Sequence, residues 1–234
     1  MSEPAAREQP IRITADMLDV ARPVDTRIDF ERGMSYVPPA TLAVIVALGA
    51  IFAWQLQSGA LASRESIIAA GALVRDHVMR GEWWRIMSAT MLHGSGQHLV
   101  GNVVSLYILG MATEHAYGAR RMLLMYIASA IAGSLLSMAM SDGPSVGASG
   151  AIFGLMGAVI VLFWKHRGEL LVRDKRIGVV IAGWAFLTLV AGLMVPMIDN
   201  AAHLGGLIGG TVAAWGVRPK ILRRPVVYMS NRLR

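Results

Sequence analysis

Ser149 and His203 are the pair in this 234-residue chain with the clearest capacity for covalent chemistry. A serine hydroxyl is a weak nucleophile until a neighbouring base takes its proton, and an imidazole can take that proton and later deliver it to a leaving amine. Ser149 stands in the run Gly143-Pro-Ser-Val-Gly-Ala-Ser-Gly-Ala-Ile-Phe-Gly154, where Pro144, Gly147 and Gly150 flank a turn into a helix. A helix N-terminus there offers free amides and a positive dipole end to a developing oxyanion. His98 and Asn102, four residues apart and so on one helical face, are further donors for it, and His93 lies five residues before His98. Taken singly, each of these polar residues also fits an ordinary interhelical hydrogen bond. The chain has no Cys, which removes thiolate nucleophiles, disulfides and thiolate zinc sites, and no metal site is assigned. The pattern is not the Gly-x-Ser-x-Gly elbow, because position 151 is Ala and no strand precedes the serine. Asp199, four residues before His203, is a weak candidate for a third catalytic member, since it falls at an exposed helix boundary.

The composition determines what kind of element must position these residues. Hydrophobic residues make up 55% and charged residues only 16% of the sequence, with a mean hydropathy of +0.52. Soluble domains carry about 25% charged residues, so a water-soluble enzyme is excluded. Six long gaps between formal charges predict transmembrane helices over residues 39–57, 95–115, 121–141, 149–165, 177–196 and 200–217, each near the roughly 20 residues a crossing needs. Their uninterrupted apolar character lacks the alternation of barrel strands, so the expected fold is an all-α bundle of six spans.

The basic residues orient it. Arg120 and Arg121 follow the second span, Lys165, Arg167, Arg173, Lys175 and Arg176 follow the fourth, and Arg218, Lys220, Arg223, Arg224, Arg232 and Arg234 follow the sixth. The loops after the third and fifth spans carry Asp142 and Asp199 without Lys or Arg. The positive-inside rule puts both termini in the cytoplasm. The net charge of +7 is then mainly a topology signal, and no nucleic-acid partner is expected. Residues 1–36 read as a cytoplasmic extension, 37–218 as the membrane domain and 219–234 as a basic cytoplasmic tail.

With that orientation the second, fourth and sixth spans run from outside to inside, which sets Ser149, His98, Asn102 and His203 at one depth near the external surface. The fourth span is short, so Ser149 begins below that surface, where irregular backbone is tolerated if it lines a cavity. Gly206 and Gly210 share the face of His203, and Gly150 and Gly154 lie beside Ser149; small residues so spaced let two helices approach closely. Residues 58–94 form a long external connection holding Gly81-Glu-Trp-Trp-Arg-Ile. Paired Trp beside Arg belongs at a membrane interface, and this loop is expected to be partly helical, serving either as an anchor or as a part of the mechanism.

Taken together, Glu82-x-Trp84-Arg85, His93-x4-His98-x3-Asn102, Gly147-Ala-Ser-Gly150 and Ala202-His203 with Gly206 and Gly210 resemble the rhomboid intramembrane serine proteases over roughly residues 39–217. The resemblance implies Ser149 as nucleophile and His203 as base in a dyad, and an oxyanion hole from His98, Asn102 and the Ser149 amide. It places Glu82, Trp84 and Arg85 in a structural first loop, and Glu114 with Gly118 in a turn after the second span. Phe153 occupies a position where some relatives have Tyr, which leaves an aromatic ring to pack on His203 without a hydroxyl. The six-span bacterial arrangement is the nearer match. It implies residence in a bacterial cytoplasmic membrane, no cofactor, and cleavage of transmembrane protein substrates near the outer end of their helices, at small residues. Two other readings compete: a binding protein or chaperone of the same fold that does not cut, and a small-solute transporter, whose polar groups should run through the full membrane depth.

Overall fold

Apolar runs long enough to form several helical turns, separated by Gly, Pro and capping side chains, dictate a helical chain. The structure is a computed structural model and describes residues 27–172, 183–184, 186–188, 190 and 198–223. The chain runs from β1 (Ile28–Asp29) to α1 (Pro39–Gln57), through three short helices, α2 (Arg64–Ala69), α3 (Arg75–Met79) and α4 (Arg85–Ser88), to α5 (Gly96–Tyr117) and α6 (Ala119–Met140). It continues with α7 (Ser149–Lys165), β2 (Leu170–Leu171) and α8 (Asn200–Trp215), and closes with a 3-10 turn at Ile221–Arg223. The expected spans 39–57, 95–115, 121–141, 149–165 and 200–217 each correspond to one helix, with ends within a few residues. The expected span at 177–196 lies for the most part outside the described residues, as do most of the N-terminal extension and the residues after 223.

Local chemistry sets the helix ends. Ser95 caps α5 by accepting from the His98 amide, Ser63 caps α2, and Pro39 opens α1. Gly118, at φ +87°, separates α5 from α6. No nearby side chain caps α1; instead the Glu114 carboxylate of α5 accepts from Ala40 N, Thr41 N and Thr41 Oγ1 at 2.8–3.1 Å. A carboxylate there meets both the free amides and the positive dipole end.

The helix α7 is apolar on every face, and twelve of its seventeen residues are buried, as expected of a helix enclosed by others. It packs on α8, α6 and α5. Its contact with α8 is backbone on backbone: a Cβ on Gly206 would lie 1.8 Å from the Gly150 carbonyl oxygen, and one on Gly210 would lie 2.0 Å from that of Gly154. Only glycine fits at either place.

The outer surface is apolar as well. Exposed Val100, Val104 and Ile108 on α5, Ile127, Ile131 and Leu135 on α6, and Leu204, Ile208 and Val212 on α8 recur every four residues, forming stripes along one face of each helix. Apolar patches on this scale face membrane rather than water. Among the described residues, α1 and α6 have both the length and the composition of a bilayer crossing. The helices α7 and α8 have seventeen and sixteen residues, and α5 is long but carries His98, Asn102, Glu114 and His115.

Beyond the all-α expectation, β1 and β2 form a two-residue parallel pair, Ile28 with Leu170 and Asp29 with Leu171. Phe30 is buried beside it, edge-on to His115 and Phe163, so part of the expected N-terminal extension packs against the bundle.

Gly206→Ala is expected to force α7 and α8 apart and to destabilise the protein by about 1–3 kcal/mol, the usual cost of overpacking. Denaturant or thermal unfolding in detergent checks this, with Gly49→Ala, where nothing lies within 4 Å of the added carbon, as the comparison.

Candidate active site

Ser149 is the first residue of α7 and His203 lies in the first turn of α8, so the glycine contact between these helices brings the two side chains together. His203 Nε2 is 2.8 Å from Ser149 Oγ, within reach for proton transfer. Phe153, one turn below Ser149, stacks flat on the His203 imidazole, with ring centroids 4.3 Å apart and planes 9° from parallel. His203 Nδ1 has no hydrogen-bond partner among the described residues. Asp199 does not supply one: it caps α8 by accepting from Ala202 N and also accepts from Ser137 of α6 and from Ser141 at the end of α6. Its carboxylate is a tether between α6 and α8.

His98 and Asn102 converge on the turn before Ser149. Gly147 has φ +128°, and a Cβ there would lie 2.8 Å from His98 Nε2 and 3.6 Å from Asn102 Nδ2. Glycine is required twice, by backbone conformation and by this close approach. Asn102 is 7% exposed, and its Nδ2 has no partner among the described residues. The ring of His93 meets that of His98 edge-on at 5.1 Å.

The first loop holds the turn in place. Leu73 and Ser145 form an antiparallel bridge through two backbone bonds of 3.0 and 2.9 Å, and Gly147 N donates to Ala89 O at 2.9 Å. Arg85 organises the loop: its Nε and Nη2 reach Glu82 Oε2 at 2.7 Å, and Nη1 donates to Ile68 O and Ala72 O. His77 also meets Glu82, at 2.9 Å. The bonds from His77 and Arg85 hold the Glu82 carboxyl below its usual pKa. Trp84 lies against the Arg85 guanidinium, and both Trp83 and Trp84 remain more than half exposed, as befits an interface. A cavity of about 20 Å³ lies against the turn, bounded by Ala89, Gly133, Ser145, Gly147, Gly150 and Ala202 among others, with neither Ser149 nor His203 in its lining.

One structural residue had no motif to announce it. Gln55, fully buried near the end of α1, donates from Nε2 to His93 O and accepts from His93 N. Its only sequence signal is an amide side chain at the end of an apolar run.

The described residues bring a serine hydroxyl and an imidazole together at the packed ends of two apolar helices. A rhomboid-domain family model matches residues 80–220. The chain is 38% identical to Rhomboid protease GluP of Bacillus subtilis over 177 residues, covering 75% of this chain and 34% of that protein. It is 32% identical to Rhomboid protease AarA of Providencia stuartii, covering 74% of this chain and 70% of that one. RHOMBOID-like protein 5 of Arabidopsis thaliana is 37% identical over 60% of this chain and 46% of its own length. The chain belongs to the rhomboid family and is an integral membrane protein. It spans a third to a half of the length of GluP and RHOMBOID-like protein 5, and more of AarA.

Gln55→Leu would leave the backbone N–H and C=O of His93 buried and unpaired. A loss of about 1–3 kcal/mol per abandoned group is expected, read as a lower thermal unfolding midpoint in detergent.

Proposed function

We propose that this chain is an intramembrane serine endopeptidase that cleaves transmembrane segments of other proteins by a Ser149–His203 dyad. The observation that carries the reading is the 2.8 Å contact between Ser149 Oγ and His203 Nε2. In the first half-reaction Oγ attacks the scissile carbonyl carbon while its proton passes to Nε2. The oxyanion that forms is received by the Ser149 amide, His98 Nε2 and Asn102 Nδ2, donors set in a water-poor environment where such bonds are strongest. Collapse of the tetrahedral intermediate breaks the C–N bond, and the Nε2 proton leaves with the amine. In the second half-reaction water, deprotonated by His203, releases the acyl group and restores Ser149. Phe153 keeps the imidazole plane fixed during both transfers, while His93 supports His98. Gly147, Gly150, Gly206 and Gly210 make room for the approach of donors and helices. No metal or cofactor takes part in these steps.

Likeness to the rhomboid proteases extends the reading to cleavage next to small side chains near the outer end of the substrate helix. The surrounding reading is a six-span bundle, residues 37–218, between a cytoplasmic extension at 1–36 and a basic cytoplasmic tail at 219–234. It sits in a bacterial cytoplasmic membrane with both termini inside and Ser149 toward the external side. Glu82, Trp84 and Arg85 then belong to a first loop resting in the outer leaflet, whose internal bonds hold the turn at Gly147.

Two measurements test this. In liposomes containing a single-span substrate, wild type is expected to cut and Ser149→Ala to be inactive; cleavage that survives the substitution removes Ser149 from the mechanism. Asn102→Ala should lose on the order of 100-fold or more in rate, as for other oxyanion donors. A serine-reactive fluorophosphonate should label Ser149 in the wild type. An unlabelled protein that still binds membrane helices would support the non-cutting chaperone instead.

A further inference from the structure

At the end of the bundle away from Ser149 the chain builds a second cavity, of about 400 Å³, bounded by Tyr117, Gly118, Ala119, Arg120, Arg121, Lys220 and Arg223. Its walls are held by specific contacts. Lys220 N donates to Ala116 O at 2.7 Å, and the buried Ile221 and Leu222 anchor the turn that presents Lys220 and Arg223. Arg121 Nη1 donates to Arg218 O at 3.2 Å, and the Lys220 side chain lies over Gly118, 3.3 Å from where a Cβ would be. Four cations therefore line one cavity, and its lining contains no carboxylate.

The nearby acids are engaged elsewhere. Glu114 is bonded to the start of α1, and Glu169 pairs with His166 and Arg218. Residues 217–234 of the sequence contain no Asp or Glu. The same cavity receives the N-terminus of α6, which has no side-chain cap and no acid in its first turn, so that helix adds a positive dipole end to the four cations. Like charges gathered without a counter-charge repel one another unless an anion joins them. Basic pockets between membrane helices are suited to lipid head groups, each Lys or Arg near an anionic surface contributing about 1 kcal/mol.

We propose that this cavity is a binding site for a phosphate group, taken either from the head group of an anionic phospholipid or as the free ion, with Arg120, Arg121, Lys220 and Arg223 as its cationic ligands. The site is separate from the hydrolytic one and stands whether or not Ser149 is a nucleophile.

The test uses the full chain in neutral detergent. Its thermal unfolding midpoint is followed against short-chain phosphatidylglycerol, short-chain phosphatidylcholine, and sodium phosphate matched in ionic strength with sodium chloride, since a ligand bound only by the folded state raises that midpoint. A saturable rise with phosphatidylglycerol and none with phosphatidylcholine or phosphate is expected for a lipid head group. A saturable rise with phosphate of similar midpoint identifies the free ion. In either case the apparent affinity should fall about tenfold or more in Arg120→Gln/Lys220→Gln. It should be unchanged in Arg64→Gln/Arg80→Gln, which removes two exposed charges from the first loop. Arg223→Gln, with a smaller loss of about fivefold, serves if the double variant does not fold. The proposal is overturned by the absence of a saturable response to both phosphatidylglycerol and phosphate, or by equal losses in the cavity and first-loop variants.

Discussion

The closest constraint in this molecule is the glycine contact between α7 and α8. Inside a bilayer no hydrophobic force drives one apolar helix against another, so association depends on van der Waals fit and close backbone approach. Gly206 and Gly210 pass directly over the carbonyls of Gly150 and Gly154, and this separation sets everything above it. Ser149 precedes Gly150 by one residue and His203 precedes Gly206 by three, so the 2.8 Å meeting of hydroxyl and imidazole follows from where the glycines put the two backbones. The helix α6 completes the arrangement from a third side, where Gly133 faces the Ala202 carbonyl and Ser129 fills the space over Gly154. Asp199 ties the same three-way junction by bonding Ser137 of α6 and Ser141 at its end while capping α8.

Above the packed helices, positioning passes from apolar contact to hydrogen bonds. The turn at Gly147 carries no regular structure, yet its backbone is bonded to Leu73 and Ala89 of the first loop. That loop is in turn held by the four bonds of Arg85 and by Gln55 through His93. In a low-dielectric setting unmade bonds are expensive. Among the described residues the buried side-chain atoms without a partner include Asn102 Nδ2 and His203 Nδ1 at the candidate site, and also both ring nitrogens of His93 and the Tyr126 hydroxyl.

How much of this could be read beforehand depended on how local each signal was. Helix positions followed from gaps between charges, and the small-residue spacing at Gly150, Gly154, Gly206 and Gly210 announced a close contact with its correct partners. Ser149, His203, His98 and Asn102 stood out because strongly polar groups are rare in such runs. The signals that failed were non-local. Nothing in the sequence connects Gln55 to His93, or Glu114 to the amides of α1, since each bond spans dozens of residues and uses an unremarkable amide or carboxylate. Asp199 was legible as a residue near His203 but not as the tether to Ser141, because the sequence offers no way to see which helix stands beside it. The pairing of Ile28 with Leu170 is likewise a contact of two chain-distant pieces with no periodic pattern of their own.

The lengths of the helices carry a last consequence. The helices α5 and α6 have twenty-two residues each, whereas α7 and α8, which hold Ser149 and His203, have seventeen and sixteen. At about 1.5 Å per residue, α7 and α8 fall several ångströms short of a bilayer core of about 30 Å. The two catalytic candidates both sit at first-turn positions of the short helices, so shortening them lowers both side chains together without breaking their contact. The Gly143–Ala148 turn and the first loop adjoin these helix ends, and irregular backbone within a bilayer is stable only where its polar groups are paired or line a cavity. The glycine contact makes the two short helices begin at the same level, so under the proposed orientation a recess at their ends would hold both side chains at one depth.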